Sequence, residues 1–294
     1  MSWRRDTSEK TSEGRGITGF LRSLLSEMPW SEKAEAEEKH QFATPSGQVL
    51  RVHNSNGRTR ITGEERDDIE VVAFKTGRAE SADAAQQLVQ DIHIDFQETG
   101  GRLDLDVEVP RKWNRRGAAN LCIKLPREME VWVAAANGRV EVEGIRGLVR
   151  AKSTNGAAKV CDVIGDVEVA TTNAKVSCTC TCGRLLARSS NGKIEIDQHR
   201  GSVDASTSNG LIRASLEDVG ADGVQLATSN GRIVLDLPEV VDVDVDIRVD
   251  NGVIRSDREV LAKGRETIGR LLGRLGAGGK LVKLRTSNGS VSLR

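Results

Sequence analysis

The tetrapeptide TSNG stands three times in this chain, at Thr207–Gly210, Thr228–Gly231 and Thr286–Gly289. Variants surround it: STNG from Ser153, SSNG from Ser189, TTNA from Thr171 and NSNG from Asn54. An Asn-Gly pair marks a tight turn, because both residues tolerate positive φ at least cost. The spacing says more. Asn137, Asn155, Asn173, Asn191 and Asn209 follow at intervals of 18, Asn230 and Asn251 at intervals of 21, and Asn288 after 37. A fixed period of about 20 residues is the signature of a solenoid or array.

The residues between the turns obey a second rule. Three positions after each Asn stand Val140, Ala158, Val176, Ile194, Ile212, Ile233, Ile254 and Val291. Five positions after it stand Val142, Val160, Cys178, Ile196, Ala214, Leu235 and Leu293, with Ser256 as the exception. Six before it the column reads Val131, Val149, Val167, Leu185, Val203, Val224, Val245 and Val282. Four before it come Val133, Ala151, Val169, Ala187, Ala205, Leu226, Ile247 and Leu284. Alternation on both flanks means half-buried strands. Gly147, Gly165, Gly183 and Gly201 mark a second turn ten residues after each Asn.

Two short strands and two turns per period describe one rung of a parallel β-solenoid. An antiparallel hairpin would explain one Asn-Gly turn but not identical inward columns at a locked interval. Stacked rungs share their ladders and core, whereas a lone rung cannot offset the entropy of ordering its backbone. The fold expected is all-β: a right-handed parallel β-solenoid with about 18–21 residues per rung. The corner residues are then structural. Asn137, Asn155, Asn173, Asn191, Asn209, Asn230, Asn251 and Asn288 stack amide on amide. Gly138, Gly156, Gly192, Gly210, Gly231, Gly252 and Gly289 take the positive φ.

Three stretches, LRVHNSNGRTRITG, NGRVEVEGIRGLVRAKSTNG and GGKLVKLRTSNGSVSLR, give the chain a family likeness over about residues 46–294. It resembles the bacterial "putative adhesin" family of β-strand-repeat proteins, a domain of unknown function related to GIN-type domains. The resemblance implies a non-catalytic β-solenoid.

Composition narrows the partners. Lys plus Arg and Asp plus Glu are equal at 43 each, so no long-range field draws in nucleic acid or an anionic membrane. Tyr is absent and aromatics make up 3%, which argues against stacking platforms for bases or sugars. The start, MSWRRDTSEKTSEGRG, has no apolar segment of a secretory signal, and the five cysteines read as reduced thiols. The expected compartment is the cytoplasm, with peripheral membrane attachment as the alternative.

Outside the regular rungs, residues 1–45 read as an N-terminal helix and a charged, solvated linker. Ile17, Phe20, Leu21, Leu24, Leu25 and Met28 fall on one helical face, with Trp30 just beyond Pro29. This segment caps the solenoid, contacts a partner or a membrane, or is a mobile tail; the sequence leaves the three open. Residues 46–136 read as irregular, β-rich first rungs, with Leu50, Val52 and Ile61 inward and AESADAAQQLVQD as a helical or loop excursion. Residues 137–255 are regular rungs, 256–280 an insertion read as a weak helix, and 281–294 a terminal rung.

Catalytic and cofactor motifs fail one by one. GRLGAGGKL lacks the spacing of a phosphate loop, and no serine elbow is present. His40, His53, His93 and His199 are scattered. In CTCTC, alternation places Cys178, Cys180 and Cys182 on one side of a strand, and one rung later His199 falls near them. Yet the spacing is not that of zinc ligands, and Cys178 fills a core column. The outward columns do not stack the carboxylates a glycosidase needs. The expectation is no cofactor, no metal and no enzyme: a scaffold or interaction module whose partner is an unknown protein or a second copy. A self-assembling, bactofilin-like element and a carbohydrate-active enzyme stay open as alternatives.

Overall fold

The computed structural model describes residues 32–110, 116–262 and 269–294. They form a single all-β sheet system with one short helix. In chain order come β1 (Glu32–Ala43), β2 (Val49–Asn56), β3 (Thr59–Glu64) and β4 (Asp68–Ala79). Helix α1 (Ala82–Gln90) follows, then β5 (His93–Thr99), β6 (Arg102–Glu108), β7 (Arg116–Pro126), β8 (Glu130–Asn137) and β9 (Val140–Ile145). The regular part runs through β10 (Val149–Ser153), β11 (Ala158–Ile164), β12 (Val167–Thr171), β13 (Val176–Ser189) and β14 (Ile194–Asn209). Last come β15 (Ile212–Asn230), β16 (Ile233–Asp236), β17 (Val243–Ser256), β18 (Leu261–Ala262), β19 (Arg270–Leu275) and β20 (Lys280–Leu293).

The repeat dictates the pairing. Val149 lies beside Val131 on one side and Val167 on the other, and Val167 beside Leu185, all parallel and each 18 residues from the next. Apart from Ile254 and Ser256 on β17, the four inward columns lie in the core: all sixteen residues of the columns six and four before the Asn are at most 3% exposed. Leu50, Val52 and Ile61 join them.

A third corner interrupts each rung. Gly144, Asp162, Cys180 and Gln198, spaced by 18, all lie in the left-handed region with φ between 51° and 74°. The residue after each points inward, giving a buried column of Ile145, Val163, Thr181 and His199. This corner breaks the alternation expected through CTCTC: Cys178 is buried, whereas Cys180 and Cys182 are exposed.

The spatial order of rungs departs from the order of sequence at both ends. The β2–β3 rung sits between β6–β7 and β8–β9, so the segment later in sequence is outermost. At the other end β20 lies between β15–β16 and β17. The segment 281–294, expected as the terminal rung, is therefore interior. Ser256 now has a reason: it ends β17 beyond the stretch that β19 pairs with, where among the described residues no further strand covers it, and it is exposed.

Two further expectations are corrected. Residues 32–43 are not a linker but β1, paired antiparallel along all of β4. Their high charge hides an alternation in which Glu38, His40 and Phe42 are half-buried and Glu37, Lys39 and Gln41 exposed. Residues 270–275, expected within a weak helix, form β19 antiparallel to β17, because Val243, Val245 and Ile247 offer an outermost edge to pair with. The excursion at residues 82–90 is helical; Ser81 accepts from Ala84 N at 3.3 Å as its N-cap, and Ala85, Leu88 and Val89 are buried.

Candidate functional site

The outward face of the parallel sheet holding β8 and β10 carries one side chain per rung at each register position. Five before the Asn, and in register from strand to strand, stand Gln97, Asp104, Arg51, Trp132, Arg150 and Glu168. Two residues further along stand Asp106, His53, Ala134 and Lys152. Ala134 is small where its neighbours are long, and the indole of Trp132 stands beside it. The result is a groove of about 660 Å³ lined by these two rows.

Its electrostatics are mostly matched. Glu168 receives Lys152 Nζ at 2.8 Å and Arg150 Nε at 3.3 Å. The Arg150 guanidinium also lies 4.7 Å from the centre of the Trp132 ring, a cation–π distance. Asp104 takes both Nε and Nη2 of Arg102 on Oδ2, and the His53 Nδ1 stands 3.4 Å from Asp106. Two polar atoms break the pattern. The Trp132 indole N–H and Asp104 Oδ1 are buried and have no hydrogen-bond partner. A donor and an acceptor left unmade in one groove are costly unless something completes them.

The sequence reading passed over Trp132 because aromatic residues are few, yet its place in the outward column is fixed by Asn137. The corner residues lie elsewhere. From Asn155 on, each Asn donates Nδ2 to the Oδ1 of the Asn before it in the stack, at 2.8–3.0 Å, in the order 137, 155, 173, 191, 209, 230, 288, 251. Beneath it runs a hydroxyl ladder that the sequence did not suggest. Ser153, Thr171, Thr207 and Thr286 donate to the carbonyls of Gly138, Gly156, Gly192 and Gly231 at 3.0–3.1 Å. Among the corner glycines only Gly57, Gly252 and Gly289 have positive φ. At Gly138, Gly156, Gly192 and Gly231 the requirement is space: a Cβ would fall 1.7–1.9 Å from the carbonyl oxygen of the neighbouring rung.

The cysteines and His199 do not assemble. His199 is 1% exposed, its Nδ1 lies 2.8 Å from Thr181 Oγ1, and burial lowers its pKa. Cys180 instead reaches Gln198 Oε1 at 3.0 Å on the surface, and burial pushes the Cys178 thiol up to about 12. Among the described residues no group of three or more His, Cys, Asp or Glu is placed to hold a metal ion. Ile17, Phe20, Leu21, Leu24, Leu25, Met28 and Trp30 lie outside the described residues. No helix among the described residues is long and apolar enough to cross a membrane.

The rung pattern meets a known family model, Toastrack DUF4097, over residues 48–294. The chain belongs to the Toastrack DUF4097 family. No curated protein matches it. Among solved structures, a "putative adhesin" from Bacteroides fragilis is 11% identical, with 90% of this chain and 99% of that one covered and a TM-score of 0.50. A "putative cell adhesion protein" from Clostridium sporogenes is 11% identical over 88% of this chain and 99% of its own, with a TM-score of 0.30. A "putative lipid binding protein" from Parabacteroides distasonis is 10% identical over 90% and 99%, with a TM-score of 0.31. At this identity the Bacteroides structure supports the Toastrack fold and nothing finer.

Proposed function

We propose that this Toastrack chain is a non-enzymatic, adhesin-like interaction module that holds a polar partner in the groove around Trp132. The observation that carries this reading is the pair of unmade bonds at Trp132 Nε1 and Asp104 Oδ1. A partner bearing both hydroxyl or amide donors and acceptors, such as a glycan or an extended peptide, completes them. The indole supplies apolar area and the flanking Arg51, Arg150 and Asp106 supply orientation. The paired strands β2, β8 and β10 beneath hold these side chains in register before binding, which lowers the entropy of association. The apolar stripe from Ile17 to Trp30 is a second proposed contact, for protein or membrane.

Glycan and peptide arrays probed with the purified chain test the reading. Trp132→Phe keeps a ring but removes the donor, so binding to any array ligand of the groove should weaken about tenfold. Lys193→Ala, which removes an ion pair to Glu195 on another face, should bind as the parent does. Array ligands held equally by the parent and Trp132→Phe would place the contact elsewhere and overturn the proposal.

A further inference from the structure

Along the same outer face, cations three residues before the Asn follow a rule. Each folds onto the carboxylate that stands five before the Asn of the next rung. Lys152 reaches Glu168 at 2.8 Å, and Arg188 grips Asp204 with two bonds of 2.7 Å. At the far end of the solenoid the rule fails. Arg285 occupies this position on β20, and the next rung offers Asp246, but Asp246 faces Arg270 at 3.6 Å instead.

What remains is a row of like charges. Arg285 lies in register with Arg248 on β17, and Arg248 in register with Arg270 on β19. Adjacent strands are about 4.8 Å apart, and like charges directly opposite destabilise a sheet. Lys283 stands two residues before Arg285 on the same face. Among the described residues Arg285 and Arg248 have no ion-pair partner; Asp244, Asp246 and Asp250 stand on the same face of β17, with Asp246 in register with Lys283. Beside the row lies a groove of about 500 Å³ whose other wall is hydroxyl-rich, with Ser206, Ser208, Ser229 and Ser287. Two arginines, Arg248 and Arg285, against the single carboxylate of Asp250 in the groove, next to a bank of neutral donors, is the chemistry that holds a tetrahedral oxyanion.

We infer that Arg285 and Arg248, with the serine hydroxyls beside them, form a binding site for a phosphate group. Arg285 and Arg248 take its oxygens from adjacent strands, and Ser206 and Ser287 donate to the remainder. This site is distinct from the Trp132 groove, and each stands without the other. The bound anion neutralises a repulsion that the empty fold carries.

Thermal melts in sodium phosphate and sodium chloride at matched ionic strength, together with calorimetric titration of inorganic phosphate, test this. Phosphate stabilises many proteins by exclusion from their surface, so the comparison between variants decides. The parent should gain more in Tm from phosphate than the double variant Arg248→Gln/Arg285→Gln, and only the parent should give a saturable heat. Without phosphate the double variant should melt at or above the parent, since it loses a repulsion rather than a bond. Lys193→Gln, which also removes a cation but on another face, should keep the full phosphate response. Vesicles of phosphatidylcholine with and without phosphatidic acid separate the sources. Retention only with phosphatidic acid, lost in the double variant, assigns the site to a lipid headgroup; titration without vesicle retention assigns it to free phosphate. An equal phosphate response in parent and double variant, or a double variant that melts well below the parent without phosphate, would overturn the inference.

Discussion

At the residue scale, the corner separates two roles that the sequence merges in one dipeptide. The Asn side chains are exposed and bond one another along the solenoid, so each bond competes with water and contributes modestly. The Gly, replaced only by Ala174 in the rung of Asn173, sits close against the backbone carbonyl of the neighbouring rung. Asn191→Ala should therefore cost about 1 kcal/mol, because the partners it leaves at Asn173 and Asn209 can turn to solvent. Gly192→Ala places a Cβ 1.7 Å from the Ala174 carbonyl and should cost about 1–3 kcal/mol as the rungs separate. Denaturant titrations of the two variants check the order; a greater loss at Asn191 than at Gly192 would mean that the amide ladder, not the close approach, defines the corner. His199 gives a pH signature from the same column. Burial lowers its pKa, so the folded chain keeps the ring neutral and acid favours unfolding. That stability is fully present above the unfolded value of about 6.5 and is lost as pH falls through the interval below it. The double variant Thr181→Val/His199→Leu should continue the apolar column of Ile145 and Val163 and lose less stability than the parent between about pH 7 and about pH 5. Parallel melting curves across that range for both proteins would contradict it.

At the scale of elements, the inward columns and the period were legible because every rung repeats the same test of alternation. Agreement at eight positions outweighs any single ambiguous residue. The order of rungs was not legible, since Asn230, Asn251 and Asn288 satisfy the columns equally well in either arrangement. Nothing in the sequence of β20 marks it as interior; its burial comes from β17 folding past it. The third corner was hidden for a different reason. Asp162, Cys180 and Gln198 adopt a conformation usually signalled by Gly, and only Gly144 shows the preference. Trp132 was legible by register but obscured by a composition argument that counts aromatics without placing them. The interior position of β20 has a measurable consequence. A chain ending at Gly279 loses the strand that joins β15–β16 to β17, so hydrogen-exchange protection should fall sharply in β17 and also drop in β15 and β16, which keep only their pairing to earlier rungs. Loss of a terminal strand would fray its one neighbour alone. Retained protection in β17 of the shortened chain would refute the interior order.

At the scale of the whole molecule, the question is why a stack of rungs with repeated ladders stops. A parallel solenoid exposes a row of unpaired backbone groups at each end and is a template for a second copy. An open last rung at 281–294 would have supported end-to-end assembly, but β20 is enclosed. Beyond β17 the antiparallel β19 and β18 turn the edge away. At the other end β4 and then β1 add antiparallel strands over β7, and Phe42 packs 4.7 Å from Phe96. The outward residues of β1 are Lys33, Glu35, Glu37 and Lys39, all exposed. Charge on an edge strand disfavours pairing with another edge, since a second copy would have to bring its own charges alongside. The parent chain should therefore show no filaments by electron microscopy at micromolar concentration. The variant Glu35→Thr/Glu37→Val/Lys39→Thr keeps the strand and removes the charges, and should sediment as dimers or larger species while its melting temperature changes little. Filaments of the parent, or a variant that stays as small as the parent, would mean that something other than edge charge ends the stack.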